Sequence, residues 1–211
     1  MLVSVKSLRK LVDLKDLTAN DIALKLTFAG IEVEEIQTLA SGTNLVIGQI
    51  LECVDHPDSD HLHVLKVDLG NTYGIEQIVC GAPNARKGLK VIVARVGAKL
   101  PGGTISKGTI RGVESNGMCC SLSELGVDKK YLTDYQLAGI EELADDALIG
   151  NEDVLGYLNI DDTILDIKVL ANRPDLLSLF NVAKEVGALF NRKVNLPILS
   201  DKGIEESQFR G

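Results

Sequence analysis

Between Gly81 and Val113 the chain carries no Asp or Glu, yet it places Arg86, Lys87, Lys90, Arg95, Lys99, Lys107 and Arg111 there. Guanidinium and ammonium groups at this density suit one chemistry above others, the neutralisation of phosphates along a polyanionic backbone. Side chains on a strand alternate between faces, so three or four of the seven can serve one surface. The alternative reading of the same charge is a solvated surface with no ligand.

Other chemistry finds less support. His56, His61 and His63 lie near aspartates, but their spacing matches no tetrahedral zinc pattern. Pro57 and Asp58 suit a turn, which leaves the histidines exposed or hydrogen-bonded, and no metal is expected. Residues 102–109 are glycine-rich, but Lys107 precedes Gly108, the reverse of a phosphate-binding P-loop, and no strand-to-helix context surrounds them. Cys119 and Cys120 sit in a strand-like run, and no histidine follows His63 to act as base, so no catalytic group is expected. The four cysteines, Cys53, Cys80, Cys119 and Cys120, include no Cys-x-x-Cys and read as reduced, buried thiols of a cytosolic protein.

The elements that must carry the basic segment alternate with Gly, Pro and Asn turns. Leu45–Val54, Leu62–Leu69, Gln77–Cys80, Lys90–Val96 and Thr104–Val113 read as five strands of a closed barrel. Ser121 to Glu124 is a capping box, with Gly126 closing that turn. With 45% hydrophobic and 25% charged residues the chain reads as globular, and no apolar run approaches the ~20 residues of a membrane span. A net charge of −8 disfavours unspecific attraction to polyanions. Aromatics make up only 4% and Trp is absent, which counts against a generic single-strand binder built on stacking platforms. Residues 41–125 balance eight basic against eight acidic residues, so the surplus of acid lies in the flanks.

The flanks read as one further unit. Leu2 to Val5 suits a strand, Thr18 caps a helix that Gly30 ends, and Ile31 to Leu39 alternates like a strand with one wet face. A segment below about 40 residues rarely buries enough surface alone. Its complement is a strand over 163–169 and a helix opening at Pro174 or Asp175, with Leu176, Leu179, Phe180, Ala183, Gly187 and Phe190 on one face. The fold class expected is therefore α+β: a small discontinuous α+β domain, residues 1–39 plus 151–198, interrupted by a barrel over 40–127. Residues 128–150 read as a return linker, and 199–211 as the start of a further linker.

Four motifs now carry a resemblance: His56-Pro57-Asp58-Ser59-Asp60-His61-Leu62, Cys80-Gly81-Ala82-Pro83-Asn84, Leu100-Pro101-Gly102-Gly103, and Arg111 to Ser121. Together they resemble the tRNA-binding oligonucleotide-fold (OB-fold) domain appended to several aminoacyl-tRNA synthetases. The flanking runs Met1 to Leu8, Leu26 to Glu34 and Asn172 to Asp175 look like the start of the bacterial phenylalanyl-tRNA synthetase β-subunit family. That resemblance implies a five-stranded OB barrel inserted into a winged-helix-like domain. It implies auxiliary tRNA contacts at Arg86, Lys87, Lys90, Arg95, Lys99, Lys107, Arg111, Ser115 and Asn116, and no catalytic or metal site of this chain's own. It also implies a cytoplasmic enzyme whose full αβ heterotetramer uses ATP and magnesium, with aminoacylation in the α subunit and editing in a part of β beyond Gly211. The fragment itself is expected to be monomeric. A free-standing tRNA-binding protein and a structural or protein-interaction spacer are the rival expectations.

Overall fold

The computed structural model of the chain describes residues 1–195. Residues 199–211, expected as a linker, and the end of the 151–198 segment lie outside the described residues. Along the chain run β1 (Leu2–Ser4), α1 (Val5–Leu11), α2 (Ala19–Phe28), β2 (Val33–Thr38), β3 (Leu45–Asp55), β4 (His63–Asp68) and β5 (Ile75–Cys80). Then come β6 (Lys90–Arg95), β7 (Lys99–Leu100), β8 (Gly103–Thr104), β9 (Gly108–Ile110), β10 (Val113–Ser115) and β11 (Gly117–Cys120). The last are α3 (Asp134–Ala138), β12 (Glu142–Leu143), α4 (Val154–Tyr157), β13 (Thr163–Ile167) and α5 (Leu179–Leu189). Two compact units result, one from residues 1–37 with 163 onward, the other from residues 38–162. No helix among the described residues is long and apolar enough to cross a membrane.

In the first unit, three strands pair in the order β1-β13-β2. The late strand β13 sits at the centre, with Val3 opposite Leu165. Thr18 caps α2 by a reciprocal box: its hydroxyl accepts from the Asp21 N–H at 3.1 Å, and the Asp21 carboxylate accepts from the Thr18 N–H at 2.9 Å. Leu8, Leu14, Ile22, Leu26, Leu165, Val182 and Val186 fill the core. The buried face of α5 is Val182, Ala183, Val186 and Gly187. Phe180, expected on that face, is instead half-buried, with the Lys184 ammonium 4.5 Å from its ring centre. The reason is a break at Ser178: Pro174–Leu177 forms a separate tight turn, and α5 starts one residue later, which rotates its face. Gly187 is required by close approach, because a Cβ there would meet the Arg192 carbonyl oxygen at 2.9 Å.

In the second unit a curled antiparallel sheet runs β11-β6-β3-β4-β5, and β12 also pairs with β6. A register shift between Ile50 and Glu52 lets the long strand β3 bend and pair on both sides. Opposite faces of β3, β6 and β11 are both buried. Val46, Val91, Val93 and Cys119 join one core cluster, while Ile47, Ile92, Ala94 and Cys120 join another. That two-sided burial explains the near-continuous apolar runs in these strands. It also explains two departures from the sequence reading. Residues 128–150 are not a bare linker: they form α3 and β12, and Leu143 and Ala147 cover the second face. Residues 151–162, expected with the flanks, pack there too through Val154, Leu155 and Ile160. A third departure is local. The stretch 104–113 is not one strand, because Arg111 and Gly112 adopt φ of 47° and 82° and turn β9 back onto β10. Two successive positive φ values make the tight hairpin turn that matches strand twist.

Candidate nucleic-acid interface

The basic segment spans the loop after β5, all of β6, and the hairpins up to β10. Its members meet different fates, because partners arrive from segments distant in sequence. The Arg86 guanidinium donates to both carboxylate oxygens of Glu142, at 2.7 and 2.6 Å, and to the Asn84 carbonyl at 3.1 Å. These bonds hold the Glu142 carboxyl down at about 2 and push the Arg86 guanidinium further up. The Lys90 ammonium donates to the Asp145 and Ala147 carbonyls, at 2.5 and 2.8 Å, and so fastens the covering segment to β6. Lys107 pairs with Glu114 on the facing hairpin strand, a contact that raises the lysine's pKa.

Arg95 donates through Nη2 to the Asn44 side-chain oxygen and lies over the Tyr73 ring, 3.5 Å from its centre. Arg111, at the hairpin tip, donates to the Asp58 carbonyl at 2.8 Å and meets no carboxylate. Lys87 and Lys99 are exposed, and their ammonium groups make no hydrogen bond or salt bridge with the described residues. Charge available to a polyanion therefore concentrates at Lys87, Lys99 and Arg111.

Ser115 and Asn116 do structural work at the same place. Ser115 is 4% exposed; its hydroxyl accepts from the Val79 N–H at 3.0 Å and donates to the Gly117 carbonyl at 3.1 Å. The Asn116 N–H donates to the Gln77 carbonyl at 2.8 Å, and the Gln77 amide donates to the Glu114 carbonyl at 2.8 Å. These bonds draw β5 towards residues 114–116 and close the sheet along that side. His56 supports the hairpin tip from below. Its Nδ1 accepts from the Asp58 N–H at 3.1 Å, so the Nε2–H donates to the Ile110 carbonyl at 3.1 Å. Among the described residues no group of three or more His, Cys, Asp or Glu is placed to hold a metal ion.

A cavity of about 600 Å³ opens beside β5 and β11, with Cys80, Cys119, Ser121 and Glu124 in its wall. The neighbouring Cys119 thiol brings the Cys80 pKa down, against the opposing effect of burial. Cys119 itself is pushed up by Cys80 and by burial, and burial pushes Cys120 up to about 12. Sequence reasoning missed Tyr73, Gln77 and Glu142. Tyr73 could have been marked as one of four tyrosines in a chain poor in aromatics, set between Gly70 and Gly74. Glu142 carried no signal, since it lies in the stretch read as linker.

Residues 45–140, which hold most of the curled sheet and the whole acid-free cationic stretch, match the family described as "Putative tRNA binding domain". The flanks carry the likeness further. The chain is 44% identical over 207 residues to the phenylalanine–tRNA ligase beta subunit of Halalkalibacterium halodurans, covering 97% of this chain and 25% of that protein. It is 46% identical over 199 residues to the corresponding subunit of Geobacillus kaustophilus, covering 93% and 24%. Over almost its whole length the chain is thus similar to phenylalanine–tRNA ligase beta subunits. The chain spans about a quarter of the length of the curated relatives it matches. Among solved structures, the CsaA chaperone protein from Picrophilus torridus is similar at 17% identity and a TM-score of 0.37, over 64% of this chain and 97% of that one.

Proposed function

We propose that this chain is the tRNA-holding portion of a phenylalanine–tRNA ligase β subunit, auxiliary to aminoacylation and without a catalytic site of its own. The observation that supports it best is the match of residues 45–140 to a tRNA-binding domain within a chain 44–46% identical to such subunits. In this reading the second unit is an OB-type barrel inserted into a discontinuous, winged-helix-like α+β domain, with the division near residues 37 and 163. The working contacts are phosphate contacts from Lys87, Lys99 and Arg111. Arg95 and Asn116 line a separate recess with Lys107, while Arg86, Lys90 and Ser115 hold the surrounding segments in place. The whole enzyme acts in the cytoplasm as an αβ heterotetramer with ATP and magnesium, and no residue of this chain is assigned to those two ligands.

The pairing of Arg86 with Glu142 and of Lys107 with Glu114 favours a second reading, in which the barrel is a spacer or protein-docking module. A salt titration of tRNA retention separates the two. The binding reading expects micromolar or weaker affinity whose logarithm falls with log salt by about 0.7–0.9 per phosphate contact, near −3 in all. Absence of retention at low salt would leave the spacer reading.

A further inference from the structure

A recess of about 320 Å³ lies beside β6 and the turn after β4, lined by Leu69, Tyr73, Glu76, Arg95, Lys107 and Asn116. Two buried side-chain atoms among the described residues lack a hydrogen-bond partner, the Nε–H of Arg95 and the Oδ1 of Asn116. Both belong to side chains of this one recess. Such orphans are rare in folded proteins, and two of them in side chains that line one cavity mark it as a place where a group remains to be bound.

We infer that this recess is a subsite for one unpaired nucleobase, entered by the base edge, with Arg95 donating and the Asn116 amide accepting. The inference rests on the tRNA-holding reading and gives it a site. The volume lies near the lower end of the ~300–1,000 Å³ of small-ligand pockets, enough for a single nucleoside. Charge argues against a phosphate seated inside: Glu76 contributes a carboxylate to the wall, and the Lys107 ammonium is committed to Glu114. An uncharged planar ring that offers an acceptor next to a donor meets both orphans, and the Watson–Crick edge of every base does so. That edge is free only when the base is unpaired, so the subsite selects single-strandedness and not sequence.

The donor is fixed before any ligand arrives. Nη2 of Arg95 is bound to Asn44, and its guanidinium plane rests on Tyr73, whose hydroxyl donates to Glu152 at 2.5 Å. The backbone of Asn116 is pinned to Gln77.

The test is ¹⁵N NMR of the whole chain, following the Arg95 Nε–H and Asn116 side-chain signals during titration with single-stranded RNA tetranucleotides of mixed sequence. A longer self-complementary RNA that is fully duplexed under the same conditions is the control, and filter retention of folded tRNA is measured in parallel. The expected result is movement of both signals with the single strand and not with the duplex, and about 2–10-fold weaker tetranucleotide binding by Asn116→Ala, the loss of one hydrogen bond. If the single strand moves neither signal, the subsite is overturned, whether or not tRNA is retained. If the signals move but folded tRNA is not retained, the subsite stands and the tRNA-holding reading falls. The NMR measurement needs no substitution, so an unstable variant leaves it decisive.

Discussion

Arg86 and Glu142 are joined by two parallel hydrogen bonds of 2.7 and 2.6 Å, a fork-to-fork ion pair between the loop after β5 and strand β12. Glu142 also accepts from the Asn84 amide at 3.0 Å and the Tyr135 hydroxyl at 2.5 Å. One carboxylate thus holds the covering segment to the basic loop. The most sequence-evident cation of the chain is a structural clamp.

That clamp predicts an acid limb. Hydrogen bonding from Arg86 is the largest cause that holds Glu142 at about 2, against an ordinary value of 4.5. A carboxyl whose pKa is depressed by folding stabilises the fold fully above its unfolded value and loses that contribution as pH falls through its folded one. Glu142→Gln is therefore expected to melt lower than the natural sequence at pH 7. The difference between the two Tm values should shrink between pH 4.5 and about 2. Thermal melts across that range check it, and a difference constant with pH would contradict the clamp.

A second expectation concerns which cations meet tRNA. Replacing Lys87 and Lys99 together by Gln removes two free charges and should reduce the salt slope of tRNA binding by about 1.4–1.8. Neutralising the Arg86–Glu142 pair with Gln at both positions should leave the slope unchanged. Equal slopes for all three proteins would remove Lys87 and Lys99 from the contact set.

Sequence reasoning reached the strands, the caps and the acid-free segment because each has a local cause: alternation, an N-cap hydroxyl, a run without carboxylates. It failed where the cause is tertiary. Strands β3 and β6 are buried on both faces, so something had to cover the second face, and the weakly patterned residues 128–160 do so. Nothing local in that stretch announces it. The fate of each cation likewise depended on a partner elsewhere, Glu142 for Arg86 and the Asp145 and Ala147 carbonyls for Lys90. Arg111 and Gly112 read in sequence as the end of a strand, and only the pairing of Ile110 with Val113 shows that they form a turn.

The covering segment also sets the smallest stable piece. Residues 38–162 should melt cooperatively when expressed alone, whereas residues 40–127 expose the face of Ile47, Ile92 and Ala94 and should bind hydrophobic dyes or aggregate. A sharp, dye-free melt from the shorter piece would show that the cover is dispensable.

In the first unit, Leu165→Ala should cost about 2–5 kcal/mol, because Leu165 is fully buried at the centre of the sheet. Phe180→Ala should cost clearly less, since its ring is half exposed. Denaturant titrations of both variants, with a probe in residues 1–37, measure this; the reverse order would mean that α5 presents a different face.

Cys80 should be the thiol that reacts first. With its pKa lowered by the Cys119 thiol, and with a cavity at its side, its alkylation by iodoacetamide should set in at lower pH than that of Cys120. Cys120, at about 12, should stay unmodified. Cys119→Ala removes the neighbouring thiol and should move the midpoint of Cys80 alkylation up towards 9, the ordinary thiol value. Peptide mass spectrometry against pH reads all three.

The central place of β13 sets a timetable for synthesis. Strand β1 leaves the ribosome well before its pairing partner Leu165, which follows only after the 125 residues from 38 to 162. At ~5–20 residues per second, that interval is about 6–25 s. Through it, Val3, Leu8, Ile22 and Leu26 have no core to enter, while the intervening unit can already fold. An early strand thus waits on a late one, and the unit made around the interruption is finished only after the interruption itself.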